Sequence, residues 1–228
     1  MVAHRPWQPR QQARSKRILK RLVERPGCSP AQFLLPLRVG EELSASRIFE
    51  VRCIRGSVEA WGAVLGPCRE FQRIVAPAWA ALPRLRAVRS ADGGEAQEDE
   101  EEDVRQFLRD HSWPIVLCLR EGALGLRETL LPPAQWPRLC AHKAWPSIAG
   151  QVAKLLPAAT PSAPCVVLVM GSKGVGKSAC CRYFANALLG SAREVCFLES
   201  DIGQPELGLP GLVTLHRLRR PLLQAAHA

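Results

Sequence analysis

The sequence predicts a chain in two parts of different fold class: a β-rich first part and an α/β last part with an incomplete parallel sheet. In the first part, short alternations of apolar and polar residues are separated by glycine, as is typical of half-buried strands. In the last part, the continuous apolar run 165–170 leads into a glycine-rich loop, and a helical pattern follows. A strand that is apolar on both faces is typical of a parallel sheet.

The composition is that of an ordinary globular protein, with 47% hydrophobic and 23% charged residues. It therefore excludes wholesale disorder. No apolar stretch approaches the roughly 20 residues that a membrane helix needs, so we expect no membrane partner. The nine cysteines are odd in number and form no C-x-x-C pair, and several lie in apolar runs. This pattern favours reduced, buried thiols over a disulfide framework or a zinc site.

The charges are unevenly distributed, although the formal net charge is +10. Residues 1–25 contain eight basic residues and one acidic residue, whereas 92–103 contain eight acidic residues and no basic one. We expect 1–30 to be a disordered basic tail, with 15–25 able to form a short amphipathic helix. Such a tail is either merely solvated or a nuclear or nucleolar address that also touches RNA. The acidic run is predicted to be a surface loop.

The β-rich domain is predicted to cover 31–156. Two strands at 49–53 and 58–60 flank Gly56, which predicts a β-hairpin. A further strand is expected at 115–119, and a helix after Pro146, with Ile148, Val152, Leu155 and Leu156 at helical spacing. The segment 157–164, PAATPSAP, is predicted to be a linker, and the α/β core is predicted to begin at residue 165.

The glycine-rich loop GSKGVGKS matches G-x-x-x-x-G-K-[ST], the Walker A phosphate loop. The glycines allow a tight turn in which backbone amides point at phosphate oxygens, and the helix that follows presents its positive end to them. The lysine is expected to reach the β- and γ-phosphates, and the serine hydroxyl to hold Mg²⁺. The predicted phosphate-binding residues are Gly171, Ser172, Lys173, Gly174, Val175, Gly176, Lys177 and Ser178.

A second strand, 195–198, is followed by the polar sequence ESDIGQ. Acids at the carboxyl end of a strand beside a phosphate loop lie where metal and substrate bind in an open α/β sheet. We expect Asp201 either to hold Mg²⁺ or to accept a proton from an attacking hydroxyl, and Gln204 to position that hydroxyl or a phosphate oxygen. Glu199 is the alternative acid. A third strand is expected near 212–215.

The loop GSKGVGKS, together with LESDIGQPELGLPG, resembles the polynucleotide 5′-hydroxyl kinase family. Its pattern is a Walker A loop, then E/D-x-D-x-G-Q, then a Pro-Gly pair. RYFANALLG, VCFLESDIGQ and RCIRGSVEAWG resemble the nucleolar branch of the family, which acts in pre-ribosomal RNA processing. Two positions depart from the pattern: Gly174 stands where the family usually has aspartate, and Ala179 where a second hydroxyl residue often follows.

The resemblance implies a P-loop kinase core that transfers the γ-phosphoryl group of ATP, with Mg²⁺, to the 5′-hydroxyl end of RNA. It implies that Lys177 holds the phosphates, that Ser178 holds the metal, and that Asp201 is the metal-associated acid or base. It also implies a nucleolar location and a partner endoribonuclease that leaves 5′-hydroxyl ends. Because few residues follow Cys165, we expect the core to be incomplete, as in a fragment, a truncated isoform or an incomplete gene model.

Two alternatives remain open. In the first, the chain is a non-catalytic module whose β-rich domain and basic tail bind RNA or the endonuclease. In the second, it is a different P-loop NTPase, such as a small-molecule kinase or a GTPase. A GTPase is expected to show an N-K-x-D motif, which this sequence lacks.

Overall fold

The structure of the chain is a computed structural model that describes residues 17–44, 47–76, 84–89, 100–120, 144–160 and 162–224. Backbone contacts divide the chain into two compact units. The N-terminal unit comprises Met1–Glu59 and Leu65–Leu139, and the C-terminal unit comprises Ala60–Val64 and Cys140–Ala228. This division differs from the predicted boundary, because it places the helix after Pro146 in the C-terminal unit.

Strands dominate the chain before residue 121, as predicted. The strands are β1 (Val23–Arg25), β2 (Gln32–Leu37), β3 (Glu42–Ser44), β4 (Arg47–Arg55), β5 (Ser57–Ala60), β6 (Ala63–Leu65), β7 (Gln72–Ala76), β8 (Arg84–Val88) and β9 (Ile115–Arg120). They form a five-stranded sheet in the order β1-β2-β9-β4-β7 and a four-stranded sheet in the order β3-β8-β5-β6. Neighbours in the five-stranded sheet pair antiparallel. β9 confirms the strand expected at 115–119.

The core of the N-terminal unit surrounds β9, whose residues Ile115 to Leu119 are all buried. Helix α1 (Glu102–Asp110) places Val104 and Leu108 in one hydrophobic cluster with Val116 and Cys118. The alternating residues of β9 point to the opposite face of the sheet and are equally buried. A strand buried on both faces thus lies at the centre of an antiparallel sheet.

The predicted hairpin around Gly56 is wrong, although both of its strands exist. β4 pairs with β7 and β9, whereas β5 belongs to the other sheet. Gly56 therefore marks a corner where the chain leaves one sheet for the next. Its φ is +74°, and a Cβ there would lie 2.5 Å from the carbonyl oxygen of Pro114. Gly56 does mark a change in chain direction, but which strands pair depends on residues that are distant in the sequence.

Replacing Gly56 with alanine is expected to destabilise the N-terminal unit by about 2 kcal/mol, because left-handed strain and a backbone clash act together. Gly40→Ala is the matched control: its φ is +81°, but nothing lies within 4 Å of the added Cβ. Urea unfolding measures both changes. Equal losses in the two variants would contradict the proposed close approach at the corner.

The end of the predicted basic tail belongs to the fold. Ile18 is buried, and β1 pairs with β2 from Val23 to Arg25. Arg25 is only 3% exposed, and its guanidinium donates hydrogen bonds to Asp103, Glu101 and Gln32. The prediction of disorder is therefore wrong for 17–30, because this segment adds a strand to the sheet. Residues 1–16 lie outside the described residues.

The acidic run is likewise only partly tested, since 92–99 lie outside the described residues. Of its last four residues, Glu100 is buried, whereas Glu101, Glu102 and Asp103 are exposed. Glu100 accepts a hydrogen bond from Arg52 at 2.9 Å, and Glu102 begins α1. Basic and acidic segments that are distant in sequence therefore neutralise each other inside the N-terminal unit. Arg25 is consequently not available to a polyanion.

The C-terminal unit contains the helices α2 (Trp145–Ala153) and α3 (Lys177–Leu189), a 3-10 turn (Leu156–Ala158), and strands β10 (Val195–Glu199) and β11 (Thr214–Leu218). Both predicted helices are thus present. They meet through Ala149, Tyr183 and Phe184, with the Trp145 and Tyr183 rings 5.6 Å apart. The buried face of α2 differs from the expected one, since Ile148 and Leu155 are exposed.

The predicted strand at 165–170 is not formed in this structure. Val166, Leu168 and Met170 are 79%, 77% and 79% exposed, and the segment has no strand assignment. β10 pairs antiparallel with β11, and no described strand pairs with 165–170. An apolar run forms a central strand only where neighbours cover both faces. The expected parallel sheet is therefore not confirmed within the described part of the chain.

The cysteines follow the prediction in part. Cys53 and Cys118 are buried, and burial raises the pKa of the Cys53 thiol to about 12, which keeps it protonated and unreactive. Cys196 is exposed, although it lies in an apolar run. Within the described ranges, we find no helix with the length and apolar character needed to cross a membrane.

Candidate phosphate-binding site

The loop 171–178 joins the apolar segment 165–170 to α3, and its conformation depends on glycine. Gly174 and Gly176 have φ values of +77° and +89°, in the left-handed region that glycine enters without strain. Gly176 is the N-cap residue of α3, so the helix begins at Lys177. Glycine at 174, a departure from the family pattern, thus occupies a position where a side chain is disfavoured.

At the start of α3, backbone N–H groups are left without hydrogen-bond partners in the helix. No side chain caps Gly176, and the first amides of a helix have no partner within the helix. The helix is 13 residues long and its dipole adds positive potential at this end. The residues at 171–175 are exposed, so the amides are open to a ligand. These features fit a phosphate group.

Lys177 is the lysine of the loop that also begins α3. Its ammonium Nζ donates a hydrogen bond to the carbonyl oxygen of Ser172 at 2.9 Å, so the side chain folds back across the loop. This contact holds a positive charge beside the open amides. A phosphate oxygen is a stronger acceptor for an ammonium than a neutral carbonyl is. The side chain is therefore placed to exchange that carbonyl for a phosphate.

Asp201 and Gln204 lie on the segment that follows β10, which packs beside α3. Both are exposed. Oδ1 of Asp201 accepts hydrogen bonds from the backbone amides of Gly203 and Gln204, at 3.0 and 3.1 Å. One carboxylate oxygen thus shapes the turn, which leaves Oδ2 for a metal or a proton. No hydrogen bond between described residues joins Asp201 to the loop 171–178.

Glu199, the alternative acid of the sequence prediction, is buried and does not face the solvent. It is only 5% exposed, and its carboxylate accepts hydrogen bonds from the backbone amides of Glu206, Leu207 and Gly208. Burial alone raises the pKa of Glu199, but these amides and His216 outweigh burial and bring its pKa below the usual range. Glu199 is an ionised anchor for the loop rather than an acid that faces solvent.

Replacing Glu199 with glutamine is expected to loosen 206–208, because the amide group cannot accept from three backbone donors as a carboxylate does. Amide hydrogen exchange of Leu207 and Gly208 is expected to become faster at pH 7. In the unchanged chain the anchoring is complete above about pH 4.5, the ordinary pKa, and is lost as pH falls through the lowered folded pKa. Unchanged exchange in Glu199→Gln would contradict the anchoring role.

Magnesium needs hard oxygen donors, and it usually keeps several waters beside one or two protein ligands and the substrate phosphates. Ser178 presents an exposed hydroxyl in the first turn of α3, and Asp201 has one carboxylate oxygen outside its turn. Among the described residues there is no group of three or more metal-ligating side chains. The residues therefore fit a metal that is bound largely by nucleotide and water, not one held in a protein cage.

Taken together, the glycine-shaped loop, the uncapped helix and the folded-back lysine define a P-loop nucleotide-binding protein. Comparisons with known proteins indicate which P-loop proteins the chain resembles. The family model described as "mRNA cleavage and polyadenylation factor CLP1 P-loop" matches residues 171–227. In the solved wild-type Clp1p–Pcf11p complex, one chain has the same fold with a TM-score of 0.50 and 17% identity, over 84% of this chain and 37% of that one.

Among curated proteins, the human "Polynucleotide 5'-hydroxyl-kinase NOL9" is 47% identical over 58 residues, which are 25% of this chain and 8% of that protein. "Polynucleotide 5'-hydroxyl-kinase grc3" of Schizosaccharomyces pombe is 27% identical over 230 residues, covering 82% of this chain and 30% of that protein. The chain thus spans about a third or less of the length of these relatives. Over these lengths the chain is similar to polynucleotide 5′-hydroxyl-kinases, NOL9 and grc3 among them.

Proposed function

We propose that the chain takes part in ATP-dependent phosphorylation of RNA 5′-hydroxyl ends during pre-ribosomal RNA processing. The observation that carries this proposal is the loop 171–178, in which Lys177 reaches back to Ser172 beside the uncapped start of α3. The family supplies the reaction class, and the names of the relatives supply the polynucleotide substrate. A nuclear and nucleolar location and a partner endoribonuclease complete the proposal.

In the proposed reaction, the backbone amides of 171–178 and the Lys177 ammonium bind the β- and γ-phosphates of ATP. The 5′-hydroxyl oxygen forms a bond to the γ-phosphorus while the bond from that phosphorus to the bridging oxygen breaks, and ADP leaves. Asp201 accepts the hydroxyl proton, and Gln204 orients the hydroxyl. Ser178 and Asp201 would hold Mg²⁺, Asp201 through a water molecule, and the ion would supply positive charge that neutralises the phosphates.

One observation favours a second candidate, a non-catalytic binding module. The segment 165–170, which precedes the loop, is exposed and forms no strand. Phosphoryl transfer requires groups held in place to within about an ångström, and an unsupported loop lacks that rigidity. In this alternative, the N-terminal unit binds RNA or protein, and no transfer takes place.

A transfer assay separates these candidates. The full chain is mixed with ATP labelled at the γ-position, Mg²⁺, and one of three acceptors: a 5′-hydroxyl RNA, the same RNA with a 5′-phosphate, or a free nucleoside. We expect label only on the 5′-hydroxyl RNA. Label on the nucleoside alone would identify a small-molecule kinase. RNA binding without transfer would favour the module.

A further inference from the structure

A second set of contacts, outside the phosphate loop, fixes the turn that carries Asp201. Arg182 lies on α3 and is only 7% exposed. Its guanidinium donates a hydrogen bond to the carboxylate of Glu206, and it lies 5.0 Å from the centre of the Trp61 ring. All three residues belong to the C-terminal unit. A buried arginine paired in this way resists displacement, because separating the pair leaves an uncompensated charge.

Two contacts hold Glu206 in place. Its side chain pairs with Arg182, and its backbone amide donates to the Glu199 carboxylate. The amide of Gly208 donates to the same carboxylate at 2.8 Å. The turn that contains Asp201 therefore lies between two fixed points: Glu199 at the end of β10, and Glu206, which pairs with Arg182 on α3.

The position of Arg182 along the helix matters. It follows Lys177 by five residues, which is about 7.5 Å along the axis at the usual helical rise. The same rigid helix therefore carries Lys177, Ser178 and the arginine that holds the Asp201 turn. The Arg182–Glu206 ion pair therefore links the segment that carries Asp201 to the same helix that begins at the phosphate loop.

We propose that Arg182 and Glu206 are positioning residues for phosphoryl transfer. Their ion pair holds the 201–204 turn in register with Lys177 and Ser178. This inference rests on the proposed function, in which Asp201 accepts the hydroxyl proton in the transfer step. The phosphate contacts of the nucleotide are to the loop amides and Lys177, so we expect ATP affinity to depend little on the pair. Misplacement of a reacting group by about 1 Å is enough to cost on the order of 100-fold in rate.

The test compares Glu206→Gln, which keeps the size of the side chain and removes its charge, with Glu194→Gln. Glu194 is a matched control, since it pairs with the exposed Arg217 and Arg219 on the same unit. We expect Glu206→Gln to lower kcat about 10-fold or more, with the affinity for ATP–Mg²⁺ within about two-fold of the unchanged chain. Glu194→Gln is expected to change neither quantity, and Arg182→Lys to lose less activity than Arg182→Gln.

An unchanged kcat in Glu206→Gln would overturn the inference. So would a parallel loss of ATP affinity and kcat, because that result indicates general disruption rather than mispositioning. Amide exchange of Leu207 and Gly208 provides a readout that needs no transfer. If the unchanged chain phosphorylates no acceptor, the proposed function fails. The positioning contact is then still supported by faster exchange in Glu206→Gln than in Glu194→Gln, and overturned by equal exchange.

Discussion

Replacement of Lys177 with alanine is expected to lower phosphoryl transfer to a 5′-hydroxyl RNA by on the order of 100-fold or more. The ammonium that now bonds to Ser172 is the one side-chain cation within the first turn of α3. Its removal takes away the charge at the start of α3 that is proposed to stabilise the transferring group, while the loop amides and Lys173 remain. The affinity for ATP is expected to fall as well, by a smaller factor. Initial rates and ATP titration measure the two effects.

Lys154→Ala is the matched control for Lys177→Ala. Lys154 is an exposed lysine at the end of α2 in the same unit, and its side chain has no place in the phosphate loop. It is expected to leave the rate and the ATP affinity unchanged. Equal rates in the Lys177→Ala variant and the unchanged chain would show that the label is transferred by another site or by a contaminant.

Replacement of Arg25 with alanine is expected to destabilise the N-terminal unit by about 3 kcal/mol. The guanidinium is buried and bonds to Asp103 at 2.7 and 2.8 Å, to Glu101 at 2.7 Å and to Gln32 at 2.7 Å. Alanine removes every one of these bonds and leaves acceptors without a donor. Urea unfolding of the full chain, followed by a probe in this unit, measures the change.

Arg109→Ala is the control for the loss of an ion pair at the surface. Arg109 bonds to Glu102 on α1, and both side chains are more than half exposed. An exposed pair contributes about 0.5 kcal/mol, so the two variants are expected to differ several-fold in effect. A similar small loss in both would contradict the role of Arg25 in joining β1 to α1.

The contact between Arg25 and Asp103 also predicts that the stability of the N-terminal unit depends on pH. The hydrogen bond from Arg25 brings the pKa of Asp103 below its ordinary value of 3.8. The unfolded chain then binds more protons than the folded chain near this pH, so the contribution is complete above about pH 4 and is lost as pH falls through the folded pKa. In Arg25→Ala, the loss of stability on acidification is expected to be shallower. Parallel acid profiles for the two chains would contradict this coupling.

Local signals in the sequence predicted the phosphate loop, α3 and β10. The motif GVGKS encodes a turn and a helix start within a few residues, and α3 begins at Lys177 as such a motif requires. The role of each residue in the loop stays a prediction, because the geometry shows a site that fits phosphate and not the reaction itself. Features that are encoded by residues close together in the sequence could therefore be predicted.

Contacts between distant residues were not predictable in the same way. The bonds of Arg25 to Asp103 join residues 78 positions apart, so charge counts showed two opposite segments but not their pairing. The corner at Gly56 has the same cause, since its glycine indicates a turn but not which strands pair. Glu199 was expected to be the alternative acid of the site, whereas its carboxylate accepts hydrogen bonds from three backbone amides of the next loop.

The 165–170 segment shows the limit of apolar patterning. Its composition favours a buried strand, but burial depends on neighbouring strands and not on the segment itself. The Arg182–Glu206 pair is a comparable case, because nothing in the spacing of these residues distinguishes them from other surface charges. Only the folded C-terminal unit brings them together.

Amide hydrogen exchange with and without ATP–Mg²⁺ tests most directly whether the turn at 171–178 holds the phosphates of ATP. We predict that ATP–Mg²⁺ slows exchange of the amides at 172–178 in the unchanged chain, and that this protection is largely lost in Lys177→Ala. Inorganic triphosphate is expected to protect the same amides, since the contacts are to phosphate. Protection confined to other parts of the chain, or none at saturating nucleotide, would contradict the account.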